Sequence, residues 1–154
     1  MDETPNRRAF LTTAALSGAC LLAGCGGSDG TATPAGSAPD EVATYLADTD
    51  NFDGSLQDET GTDSVSVDVG APGNGGNFGF APPAIRVDTG TTVTWVWTGE
   101  GNMHNVVHEG GDFESQQTAE EGFEFEHTFD EAGTYRYACT PHAALGMKGA
   151  VVVE

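Results

Sequence analysis

The chain has 154 residues, 22 of them glycine, with 24 acidic against 5 basic side chains and a formal charge of −19. That length suits one compact domain with extensions, and the glycines argue for turns over a helical bundle. Five basic groups cannot build the cationic footprint that nucleic acid requires, and three cysteines are too few for a disulfide framework. The acids are scattered along the whole chain and would repel one another at low salt. At ~1 M salt the Debye length falls to roughly 3 Å and that repulsion fades, so the charge points to a protein living in high salt. A basic docking partner is the alternative source of such a bias.

Residues 1–24 read as a lipoprotein-type export signal. Asn6-Arg7-Arg8-Ala9-Phe10-Leu11 resembles a twin-arginine signal, though it lacks the usual Ser or Thr before the arginines. An uncharged apolar run from Ala9 to Gly24 follows, shorter than the about 20 residues of a spanning helix. It ends Leu22-Ala23-Gly24-Cys25, which resembles a lipobox and predicts a lipid anchor through Cys25. Residues 25–39, rich in Gly, Ser, Thr, Ala and Pro, predict a flexible, disordered tether. Residues 40–63 form an N-terminal extension of the domain. Within it, Glu41 to Leu46 predicts a turn or two of helix, with Val42, Tyr45 and Leu46 free to pack.

From residue 64 to 154 apolar and polar residues alternate, which marks half-buried strands. The alternating sets are Val65, Val67, Val69; Ile85, Val87; Val93, Trp95, Trp97; Phe123, Phe125, His127; and Tyr135, Tyr137, Cys139, with Val151 to Val153 closing the chain. Gly70 to Gly79 reads as a turn region, and Pro82-Pro83 belongs in a loop or at an edge. The predicted fold class is all-β, a Greek-key β-sandwich or barrel.

The chemistry concentrates in Cys139-Thr140-Pro141-His142-Ala143-Ala144-Leu145-Gly146-Met147. A thiol, an imidazole and a thioether lie on one short loop leaving a strand. A second β-like run, Asn102-Met103-His104-Asn105-Val106-Val107, offers His104 as the best-placed fourth ligand. Two His, one Cys and a weak axial Met is the donor set of a blue-copper electron-transfer site. Taken singly, Cys139 could be a buried inert thiol, His142 a turn residue and Met147 a core filler. Their joint spacing argues for a site. His108 and His127 read as non-ligands, Met103 as pointing away from the metal, and Trp95 and Trp97 as core.

With Cys-x-x-His-x-x-x-x-Met and the upstream His104-Asn105-Val106-Val107 in place, Val65 to Glu154 resembles a plastocyanin-type cupredoxin. The signal, lipobox and acidic bias resemble those of the halocyanins, small blue copper proteins of salt-loving archaea. The resemblance implies one type 1 copper ion held by His104, Cys139, His142 and Met147. It further implies that Asn105 ties the two ligand loops together near the Cys139 sulfur. The expected activity is one-electron transport by Cu(I)/Cu(II) cycling, with membrane redox proteins as donor and acceptor and no enzymatic reaction. The expected location is the extracytoplasmic face of the cell membrane. Copper storage or delivery is the competing reading, but such carriers favour several exposed Cys or Met. An oxidase or reductase would need more His than the four present. A structural zinc site would take Cys or His in place of a thioether.

Overall fold

The computed structural model describes residues 36–154. The expected signal, Cys25 and the tether as far as residue 35 lie outside the described residues. The strands, in chain order, are β1 (Gln57–Asp58), β2 (Ser64–Gly73), β3 (Gly76–Ala81), β4 (Ala84–Val87), β5 (Thr91–Trp97), β6 (Val107–His108), β7 (Glu124–Phe129), β8 (Gly133–Ala138) and β9 (Lys148–Val153). They form two sheets, a five-stranded one in the order β1-β4-β9-β8-β6 and a four-stranded one in the order β3-β2-β5-β7. The fold is the all-β Greek-key sandwich that the alternation predicts.

The alternation explains the packing. Along β5 burial alternates strictly, with Val93, Trp95 and Trp97 inside and Thr92, Thr94 and Val96 half-buried. Val65, Val67 and Val69 of β2 and Phe129 at the end of β7 meet them, and Val151 and Val153 of β9 close the core from the other sheet. Trp95 packs edge-on against Tyr137 of β8, with ring centroids 5.3 Å apart. Strands with one face in a shared core must keep period two, because a one-residue slip would expose every core side chain.

Strand β9 breaks this pattern: Gly149 to Val153 are all buried. The reason is a third layer. Helix α1 (Asp40–Tyr45) and the chain after it lie on the outer face of the five-stranded sheet, burying Val42, Leu46 and Leu56 against Ala84, Ala150 and Val152. A strand buried on both faces reads as a continuous apolar run. The Tyr45 hydroxyl donates to the Tyr137 carbonyl at 3.0 Å, and β1 pairs in parallel with β4.

Three expectations are corrected. Gly36 to Pro39, placed in the tether, is tied down: Ser37 bridges to Ser55, and the Ala38 N–H donates to the Gly54 carbonyl at 2.9 Å. The glycine-rich stretch from Gly70 to Gly79 is mostly strand, since β2 and β3 run through it as a hairpin around Asn74 and Gly75. Backbone pairing does not need side chains, so the glycines hid a strand with little apolar pattern. Finally, Asn102 to Val106 is not a strand. His104 makes an isolated bridge to Thr118, and regular pairing begins only at Val107.

The outer layer predicts a stability effect. Leu46→Ala leaves a cavity between α1 and the five-stranded sheet and should lower unfolding stability by about 2–5 kcal/mol. Denaturant unfolding of the variant measures it; a loss below about 0.5 kcal/mol would show that the layer is not part of the folded unit.

Candidate metal centre

The loop from Cys139 to Met147 connects two adjacent antiparallel strands. Ala138 of β8 stands opposite Lys148 of β9, so the next residues inward are Cys139 and Met147. Their pairing continues by one rung, with the Cys139 N–H donating to the Met147 carbonyl at 3.0 Å. Between them Thr140–Leu145 winds into a short 3-10 helix with Pro141 in its first turn. The His142 N–H donates to the Cys139 carbonyl at 3.1 Å, and the Met147 N–H donates to the His142 carbonyl at 3.2 Å. Three candidate donors are thereby fixed to one another through the backbone. Cys139 and Met147 are fully buried, while His142 is half-buried.

His104 arrives from the other side. It is 1% exposed and held by reciprocal backbone bonds with Thr118, both 3.0 Å. The Trp97 indole N–H donates to its carbonyl at 3.2 Å. Its Nε2 lies 2.7 Å from the Glu100 carbonyl, an acceptor only, so Nε2 carries the proton and Nδ1 keeps its lone pair. That lone pair faces the thiol: Nδ1 of His104 is 3.7 Å from Cys139 Sγ, and Nδ1 of His142 is 3.5 Å from the same sulfur. The approach of Glu100 to the ring depends on Gly101, whose φ is +81°; a Cβ there would meet the Asn77 carbonyl and the His104 Nε2.

Asn105 lies where the two loops touch. Its Oδ1 accepts the Thr140 N–H at 2.7 Å, and its Nδ2 donates to the Thr140 hydroxyl at 3.3 Å. His104 itself pairs with Thr118 through an isolated bridge. Met103, beside it, points out and is 45% exposed.

The electrostatics suit a cation. Burial pushes the Cys139 thiol up, a shift opposed by the N–H groups of Asn105 and His142. Burial also holds both imidazoles below the usual histidine range; for His104 the bond to Glu100 opposes this and the neighbouring His142 adds to it. The site therefore presents two neutral imidazoles and a thiol that gives up its proton when a metal binds.

The three donor atoms of His104, Cys139 and His142 lie within 4.8 Å of one another. A first-row metal about 2.0 Å from imidazole nitrogen and about 2.3 Å from a thiolate, at trigonal angles, would set each nitrogen about 3.7 Å from the sulfur. The observed separations of 3.7 and 3.5 Å match that figure. Soft sulfur with imidazole selects copper. On these two separations the residues fit the ion.

His108 and His127 lie elsewhere, each packed on Phe113, with ring centroids 4.9 and 4.6 Å from it. Phe78 of β3, not among the residues expected at the site, packs on His142 at 4.5 Å between centroids. The alternation of Phe78 with Phe80 was the available signal, masked by the surrounding glycines.

A two-sheet sandwich that brings two imidazoles and a buried cysteine together at one end, with a buried methionine closing the loop, is a cupredoxin copper centre. The chain belongs to the copper binding proteins of the plastocyanin/azurin family, whose model matches residues 65–154. Over the full length of both chains it is 49% identical to halocyanin of Natronomonas pharaonis. It is 36% identical to plastocyanin of Scenedesmus fuscus, over 58% of this chain and 99% of that one. A solved mutant plastocyanin of fern superimposes with a TM-score of 0.50 at 28% identity, covering 58% of this chain and 99% of the other.

Proposed function

We propose that this protein is a blue copper carrier that passes single electrons between membrane redox proteins, tethered by lipid on Cys25 at the extracytoplasmic face. The observation that carries the copper reading is the convergence of His104, Cys139 and His142 on one point, with their donor atoms within 4.8 Å. Copper bound there supplies the Cu(I)/Cu(II) couple. The residues supply a fixed frame: the Glu100 carbonyl orients His104, Asn105 fastens one loop to the other, and backbone bonds lock Cys139, His142 and Met147 together. A donor set held this way moves little when its charge changes by one. The donor partner loses one electron and the acceptor gains it, with no bond made or broken.

Storage or delivery of copper fits less well, because exchange needs accessible ligands, whereas His104, Cys139 and Met147 are at most 1% exposed. His142 is the exception, and its surroundings give the electron a port. Pro141, Ala144 and Leu145 beside it are exposed, Leu145 at 51%, and none is charged. An apolar patch desolvates cheaply, and in high salt it outlasts charge steering. Support for the membrane reading comes from the sequence Leu22-Ala23-Gly24-Cys25 after a short apolar run. Among the described residues no helix is long and apolar enough to cross a membrane.

Three outcomes are expected. Adding Cu(II) to the wild-type protein gives an intense thiolate-to-copper band in the red that disappears on reduction, and Cys139→Ser abolishes it while the β-sheet circular dichroism persists. A colourless wild-type complex would favour storage or delivery. Leu145→Glu slows electron transfer to a native membrane fraction at molar salt about tenfold, with colour and potential unchanged, because a carboxylate must then be desolvated on contact. Transfer at the wild-type rate would place the port elsewhere. Cys25→Ala releases folded protein from the membrane fraction; a wild-type N-terminus that mass spectrometry shows to be free of lipid would overturn the anchor.

A further inference from the structure

The segment after α1, residues 46–51, has no role in the copper reading so far, yet it touches the ligand loop at its methionine end. Thr49 is 4% exposed, and its hydroxyl donates to the Gly146 carbonyl at 2.8 Å. Gly146 is itself buried, at φ +104°, where it ends the 3-10 helix. Its left-handed backbone and the absence of a Cβ admit the strap: a Cβ there would collide with the Asp48 carbonyl and meet Asn74 Oδ1 at 2.7 Å. On the far side of Met147, the Lys148 ammonium pairs with Asp48 at 3.1 Å. The strap therefore grips the loop immediately before and immediately after Met147.

The same strap reaches the strand that carries Phe78. The Asp50 N–H donates to Asn74 Oδ1 at 2.9 Å, and Asn74 Nδ2 donates to the Phe78 carbonyl at 2.7 Å. Asn51 Nδ2 donates to the Phe80 carbonyl, also at 2.7 Å. Phe78 is the ring that packs on His142. Two separate features of the centre, the Met147 backbone and the ring beside His142, thus share one support.

We infer that Thr49 is a positioning residue for Met147, and that the N-terminal extension is a strap that would set how the thioether meets copper held by the loop. The peptide group joining Gly146 to Met147 is held at its oxygen by Thr49 and at its nitrogen by the His142 carbonyl. The next carbonyl, that of Met147, is held by the Cys139 N–H. A thioether is a weak axial donor, so its contribution follows small changes in backbone position. Without the Thr49 hydroxyl, the Gly146 carbonyl is buried with no partner and the peptide is free to turn. The inference rests on the copper reading, but its first test needs no metal.

In the full-length, metal-free protein, Thr49→Val should speed hydrogen exchange of the Met147 amide about tenfold relative to the Val151 amide of β9, which reports global opening. In the copper-loaded protein the same variant should change the intensity ratio of the visible bands and shift the reduction potential. Thr49→Ser, which keeps the hydroxyl, should restore exchange rate, spectrum and potential. Leu56→Ala, in the cluster on the outer face of the sheet, should lower the melting temperature and leave the ratio of Met147 to Val151 exchange, the spectrum and the potential unchanged. The inference is overturned if Met147 exchange in Thr49→Val rises only in step with Val151, or if Leu56→Ala moves the spectrum as far. A wild-type protein with no blue band would overturn the copper reading alone, since the exchange measurement would still decide the role of Thr49.

Discussion

The hydrogen bond from the Cys139 N–H to the Met147 carbonyl is the constraint from which the rest of the centre follows. It is the last rung of the β8–β9 ladder, whose register from Gly133↔Val153 to Ala138↔Lys148 is set by the hydrophobic core. Val151 and Val153 of β9 fit the core between the sheets, whereas Ala150 and Val152 fit the layer under α1, so a one-residue slip would exchange two sets shaped for different neighbours. The distance between the two ends of the ligand loop is thus decided by packing far from any metal. Only a tight turn can bridge those ends, and Thr140–Leu145 does so as a 3-10 helix that carries His142 back toward the sulfur.

His104 shows the complementary principle, in which an imidazole is specified by what it touches on its remote nitrogen. The Glu100 carbonyl accepts from Nε2 and so decides which nitrogen faces Cys139. The turn that delivers Glu100 requires Gly101 in a left-handed conformation against the Asn77 carbonyl. Asn77 lies in β3, next to Phe78, the ring that packs on His142. Strand β3, the loop of His104 and the loop of His142 are therefore in mutual contact. The centre is rigid because its supports brace one another.

How much of this the sequence discloses depends on the kind of physics involved. Strands with one face in the core announce themselves by alternation, as Val93, Trp95 and Trp97 do. The spacing of Cys139, His142 and Met147 discloses a site because three metal-binding side chains rarely share so short a loop. Strand β3 stays hidden because its glycines pair through the backbone and leave no side-chain period. The apparent strand at His104 misleads because alternation there reflects one residue aimed inward and its neighbour Met103 aimed out, without a continuous partner strand. The bond from Thr49 to Gly146 joins residues 97 positions apart and involves a carbonyl, so no local pattern could reveal it.

The acidic surface and the uncharged patch around His142 also belong to one arrangement. The loop from Thr140 to Met147 contains no charged residue, although the chain carries 24 acids. The edge strand β7 instead presents Glu124 and Glu126 to solvent, where they also deter pairing with a second sheet. Next to the loop, the pairing of Lys148 with Asp48 leaves no net charge. A uniformly acidic surface would force carboxylates to shed water wherever a partner docks, a penalty that salt does not remove because it is desolvation and not long-range repulsion. On the proposed function, an uncharged patch around the ring of His142 removes that penalty where a redox partner would make contact. The strong negative charge then serves solubility over the rest of the surface without opposing the approach that electron transfer requires.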